Sequence, residues 1–221
     1  MTTPLRSAID RELSQIRDHL LRMSALVDAA IDRSVESLKN RDVALARQII
    51  ADDTPINDLR FTIEEECMAL IATQQPAAGD LRAIIAAMNI VNDMERMADH
   101  AAGIAKTVTR MGDQPLLKPL VDIPKMAALT RNMLKRSLDA FLARDADAAR
   151  AIAAQDDEID HLYKAIFDEL LGIMARDPET ISRGTYLLWC GHNLERIGDR
   201  VTNIAERVIF MATGTMRELN V

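Results

Sequence analysis

Ten residues near the end of the chain have a near copy one hundred positions earlier. Leu194-Glu195-Arg196-Ile197-Gly198-Asp199-Arg200-Val201-Thr202-Asn203 is matched by Met94-Glu95-Arg96-Met97-Ala98-Asp99-His100-Ala101-Ala102-Gly103, and both run on into Ile-Ala. A segment repeated at such long range marks an internally duplicated fold. Other positions agree. At a shift of 103, Arg33 pairs with Arg136, Ser34 with Ser137, Arg41 with Arg144, Asp42 with Asp145 and Ile49 with Ile152. The same shift pairs Asp53 with Asp156, Ile56 with Ile159, Leu59 with Leu162 and Ile63 with Ile166. Pro76 and Pro178 match at 102, so short deletions in turns account for the drift.

The repeating unit is helical. Leu13, Ile16, Leu20, Met23, Val27, Ile31, Ser34 and Leu38 recur every three or four residues, the period of a helix face. Aromatic residues make up 3 % of the chain, while Gly and Pro number only 8 and 7 in 221 residues, which suits long aliphatic helices and disfavours sheet. Asn40-Arg41-Asp42 breaks the first helix, with Asp42 able to cap the second. That second helix runs to about Thr73, and Pro55 predicts a kink or a restart in it, capped by Asp53 or Thr54. A turn at Gln74–Asp80 precedes a third helix reaching about Met111.

The fold expected is all-α: two tandem pseudo-symmetric three-helix bundles packed into one elongated six-helix body. Residues 1–112 form the first unit and 125–221 the second. The Pro-bearing stretch 113–124 is the linker. Each half alone would have little core.

On the last helix, Leu187, Cys190, Leu194, Ile197, Val201, Ile204, Val208 and Met211 form the packing seam. Glu195 and Asp199 project away from it, one turn apart, with Asn203 and His192 beside them. The first-half counterpart has Glu95 and Asp99 off a seam of Ile90, Met94, Met97, Ala101, Ile104 and Val108, with Asn92 one turn before. The preceding helix of the second half carries Asp156 and Asp160, matched in the first half by Asp53 and Asn57. Paired oxygen ligands suit a hard cation if these helices are neighbours. The plainer alternative is solvated charge offset locally by Arg96, Arg196 and Arg200.

Other chemistry finds little support. A net charge of −7 argues against a general nucleic-acid surface. No stretch reaches about 18 uncharged apolar residues, so no membrane insertion is expected, and no signal region opens the chain. Cys67 and Cys190 lie on apolar stripes and read as buried thiols. No nucleophile elbow or Gly-rich phosphate loop is present, and a carboxylate face repels phosphate unless a metal mediates. Glu158-Ile159-Asp160-His161 matches half of a di-iron carboxylate site, but the required second Glu-x-x-His is missing.

The motif Leu194-Glu195-Arg196-Ile197-Gly198-Asp199 with Asn203-Ile204-Ala205-Glu206, and its first-half copy, resembles the signature of the PhoU family, over nearly the whole chain. The resemblance implies a six-helix fold without catalytic activity, acting as an accessory regulator of phosphate uptake and the phosphate-starvation response. It implies two partners, the ATPase subunit of a phosphate ABC transporter and a membrane sensor histidine kinase. It further implies a homodimer in the cytoplasm, peripheral to the inner membrane through its partners. Iron, zinc, magnesium or manganese ions would be held by Glu95, Asp99 and Asp53 in one half and by Glu195, Asp199, Asp156 and Asp160 in the other. Asn57 stands opposite Asp160, and Gly103 opposite Asn203, so the first site is poorer in ligands. A metal-independent helical scaffold that docks basic protein surfaces is the alternative.

Overall fold

The computed structural model describes residues 4–216 and 218–219. Six long helices and two short ones account for the fold, and the described residues contain no strand. The first half comprises α1 (Pro4–Asn40), α2 (Val43–Ala51), α3 (Thr54–Gln74) and α4 (Ala78–Met111). The second comprises α5 (Asp122–Ala143), α6 (Ala146–Ala153), α7 (Asp156–Arg176) and α8 (Ile181–Thr213). A 3₁₀ turn, Pro178–Thr180, leads into α8.

The duplication extends to the turns. Arg41 and Arg144 both adopt left-handed backbone, with φ of 55° and 54°, and end α1 and α5. The next residue caps the short helix in each half. Asp42 accepts from Leu45 N, and Asp145 accepts from Asp147 N and Ala148 N. Pro55 restarts the chain as expected, in the first turn of α3, where its missing N–H is no loss. The second half breaks at the same place without a proline, between Ala153 and Asp156. Helix α5 begins at Asp122, so Pro124 also sits within a first turn.

All the seam residues read from α1, α4 and α8 are buried. Helices α4 and α8 share the largest interface in the molecule and join the halves, while α1 also meets α5. Across that second contact Arg131 embraces the Asp28 carboxylate with Nε and Nη2, at 2.8 and 2.9 Å, and reaches Asp32.

The α4–α8 interface contains one contact made twice. Asp93 Oδ1 accepts from Arg200 Nη1 at 3.4 Å and from Asn203 Nδ2 at 3.2 Å. Shifted by one hundred, the same positions are Asn193, His100 and Gly103. Asn193 donates to Trp189 O at 2.7 Å, which turns its Oδ1 toward His100 Nδ1, 3.1 Å away. A Cβ on Gly103 would stand 2.8 Å from that Oδ1, so the side-chain amide fills the space a larger residue would need. Asn203 and Arg200 therefore serve the seam between halves. They do not flank the acidic pair as their spacing suggested, and His100 is half-buried there rather than a surface residue.

Candidate functional site

Each half builds an acidic cluster where its long last helix meets the start of the helix packed against it. In the second half α8 contributes Glu195 and Asp199, and the first turns of α7 contribute Asp156 and Asp160. Burial, then Asp199, pushes Glu195 above the usual carboxylate range, and Asp160 and Asp156 add to the push. Asp160 is raised by burial and then by Asp199. The four carboxylates thus share one electrostatic neighbourhood. Glu195 Oε2 is buried and accepts no hydrogen bond. Its nearest basic neighbours are His192 Nδ1 at 3.5 Å, a ring whose pKa burial lowers, and Arg196 Nε at 3.6 Å.

The first half repeats the arrangement with three carboxylates. Burial, then Asp99, raises both Asp53 and Glu95. Asn57 donates to Asp53 Oδ2 at 2.8 Å and partly offsets that rise. In each half one arginine covers the pair on its own helix. Arg96 lies 3.5 Å from Glu95 and 3.1 Å from Asp99, and Arg196 lies 3.6 Å from Glu195 and 3.0 Å from Asp199.

Besides Asn57, a methyl group at position 98 and its absence at 198 distinguish the two sites. Position 198 is glycine, and a Cβ there would come within 2.7 Å of Asp156 Oδ1 and 2.8 Å of Ile159 Cδ1. Its absence lets α7 approach α8 closely enough to bury Asp156 to 4 % exposure, where Thr202 donates to it at 3.2 Å. The equivalent of Gly198 is Ala98, the equivalent of Thr202 is Ala102, and Asp53 stays only half-buried. The second site is the tighter and the more acidic.

Oxygen-only donors, a buried carboxylate oxygen without a hydrogen bond, and mutual repulsion are chemistry that a hard cation would satisfy. Among the described residues, no three Asp, Glu, His or Cys side chains stand close enough, as placed, to hold one ion. Side-chain rotation and displacement of Arg96 or Arg196 would have to accompany binding. The di-iron alternative fails on placement, since Glu158 and His161 are both exposed.

The family model for the PhoU domain matches the chain twice, over residues 20–108 and 123–208. The chain belongs to the PhoU family. A phosphate-specific transport system accessory protein PhoU homolog from Clostridium acetobutylicum is 38 % identical over 216 residues, covering 97 % of this chain and 99 % of that protein. One from Pseudomonas aeruginosa is 37 % identical, with 97 % and 89 % covered. The crystal structure of PhoU from Pseudomonas aeruginosa superposes with a TM-score of 0.88 at 37 % identity, covering 93 % of this chain and 99 % of that one. The phosphate transport system regulatory protein PhoU from Streptococcus pneumoniae gives 0.89 at 34 % identity, covering 96 % and 100 %. PhoU membership thus fits both the tandem units and the fold. No described helix is long and apolar enough to cross a membrane.

Proposed function

We propose that this protein is a non-enzymatic regulator accessory to phosphate transport, linking the ATPase subunit of a phosphate ABC transporter to a membrane sensor histidine kinase. The homologues' names support the transport role. Divalent or ferric ions (iron, zinc, magnesium or manganese) bind at the two acidic clusters and organise the docking surface. Asp156, Asp160, Glu195 and Asp199 hold one ion, and Asp53, Glu95 and Asp99 the other. A bound cation supplies only charge compensation; the carboxylates and helices do the positioning. The observation that carries this reading is the duplicated cluster, with burial and like charge in both halves leaving carboxylates in need of a counter-charge. A cytoplasmic homodimer, reaching the inner membrane through its partners, completes the reading, with units at 1–112 and 125–221 joined by 113–124.

The metal-independent scaffold is favoured by the arginines already paired with both clusters. One experiment separates the two readings. Asp99→Asn and Asp199→Asn are introduced together, and metal content and affinity for the transporter ATPase subunit are measured on protein purified without chelators. Under the metal reading both fall together. Full partner affinity in chelator leaves only the scaffold.

A further inference from the structure

The chain has a single tryptophan, and it stands on the surface: Trp189 is 53 % exposed. Its ring centroid lies 5.7 Å from that of His192, whose own ring is 6.0 Å from Tyr163 across the α7–α8 groove. Gly191 seats Tyr163 there, since a Cβ would meet its Cδ2 at 3.3 Å. Phe167, 42 % exposed, follows Tyr163 one turn along α7. In a protein with 3 % aromatic residues, four aromatic or imidazole rings gather on one face.

The fold does not require them. At the duplicated positions of the first half stand Arg60, Glu64, Asn89 and Asn92, for Tyr163, Phe167, Trp189 and His192. There three of the polar side chains are linked by hydrogen bonds. Arg60 Nη1 donates to Asn92 Oδ1 at 3.2 Å, and Asn92 donates to Glu64 Oε1 at 2.9 Å. The same backbone scaffold thus carries linked polar side chains in one half and open rings in the other. Exposed Trp and Tyr are the residues most enriched as binding anchors.

Charge selects the occupant. His192 links the rings to the Glu195 and Asp199 pair, and Glu195 Oε2 takes no hydrogen bond from the protein. An isologous contact with a second copy would set acid against acid. Anionic lipid would be repelled for the same reason. An arginine fits both parts of the face, because its planar guanidinium stacks on aromatic rings while donating to carboxylates.

We propose that Trp189, Tyr163 and His192, flanked by Glu195 and Asp199, form a docking surface for an arginine-bearing segment of a partner protein. The guanidinium would use two of the carboxylates assigned above to an ion, Glu195 and Asp199, so the surface is tested in chelator, where no cation competes for them. Trp189 is its own fluorescent reporter. The probe is a tryptophan-free amphipathic helical peptide with arginines beside leucines, with lysine- and glutamate-substituted versions. The arginine peptide shifts Trp189 emission to the blue and saturates, the lysine version binds about tenfold more weakly, and the glutamate version does not bind. By calorimetry Trp189→Ala weakens the arginine peptide about tenfold, Trp189→Phe less, and Phe61→Ala on the first half not at all. Unchanged affinity in Trp189→Ala, or no emission shift with any peptide, overturns the proposal. So does a shift driven instead by protein concentration or by phosphatidylglycerol vesicles.

Discussion

Replacing Gly198 by alanine tests whether the close approach of α7 to α8 builds the second acidic cluster. In an ordinary helix interior this change is favourable by about 1 kcal/mol, because glycine loses more backbone entropy than alanine. Here the new Cβ would stand 2.7 Å from Asp156 Oδ1 and 2.8 Å from Ile159 Cδ1. Neither neighbour yields freely, since Ile159 is fully buried and Asp156 is held by Thr202. Overpacking a filled site costs about 1–3 kcal/mol. Stretching the Thr202–Asp156 bond, a hydrogen bond to a charged acceptor, costs about 1.5–3 kcal/mol more. The propensity gain offsets only part of this, leaving a net loss of about 1.5–5 kcal/mol. For a chain of this size that corresponds to a fall in Tm of roughly 10 °C. Gly172→Ala is the control, because a Cβ there would meet no atom within 4 Å beyond the neighbouring residues and the backbone of its own helix. There only the propensity term acts, and Tm should rise by about 2–4 °C. Thermal unfolding followed by circular dichroism reads both variants. If Gly198→Ala melts at or above the parent while Gly172→Ala rises, the steric reasoning is wrong and another cause must bury Asp156.

Three further perturbations follow from buried polar groups. Glu195→Gln removes a carboxylate that burial, then Asp199, holds above its ordinary 4.5. The folded chain keeps this proton to higher pH than the unfolded chain, so ionisation destabilises the fold as pH rises through that window. The glutamine variant should therefore be the more stable at pH 7.5, with a gap that closes toward pH 4.5; a gap that widens on acidification would contradict this. Asn193→Asp places a carboxylate 3.1 Å from His100 Nδ1, whose ring burial keeps neutral, with its pKa below 6.5. The variant should be less stable than the parent at pH 8, and urea titrations should show the deficit shrinking as the pH falls and His100 takes up its proton. Burial raises the thiols of Cys67 and Cys190 to about 12. Neither should react with a thiol reagent in the native state, both should react after denaturation, and rapid native labelling of either would refute its burial.

Features that obey a local rule were legible in the sequence. The seam residues of α1, α4 and α8 announced themselves by spacing, and Asp42 and Pro55 by their capping and backbone chemistry. What was hidden depends on docking. The break before Asp156 has no proline or glycine behind it; Ala154 and Gln155 keep near-helical torsions there, and the chain turns because α6 packs on α8. The site itself was half visible. Glu195 and Asp199 share a face by spacing alone, whereas their meeting with Asp156 and Asp160 needed the approach of α7. Asn203 was misplaced beside the acids because a helical wheel gives direction without naming the neighbour. It turns to Asp93 on the other half. The signal was present in the shift of one hundred, which pairs Asp93 with Asn193 and Arg200 with His100. Only the fold reveals that each position meets the other's counterpart.

That reciprocal contact has a consequence for assembly. Pairing two first halves would set Asp93 against His100, and pairing two second halves would set Asn193 against Arg200. Only unlike copies bring the aspartate to the guanidinium and the amide to the imidazole. The reciprocal contact thus favours pairing of the two unlike halves within one chain over swapping of like halves between neighbouring molecules.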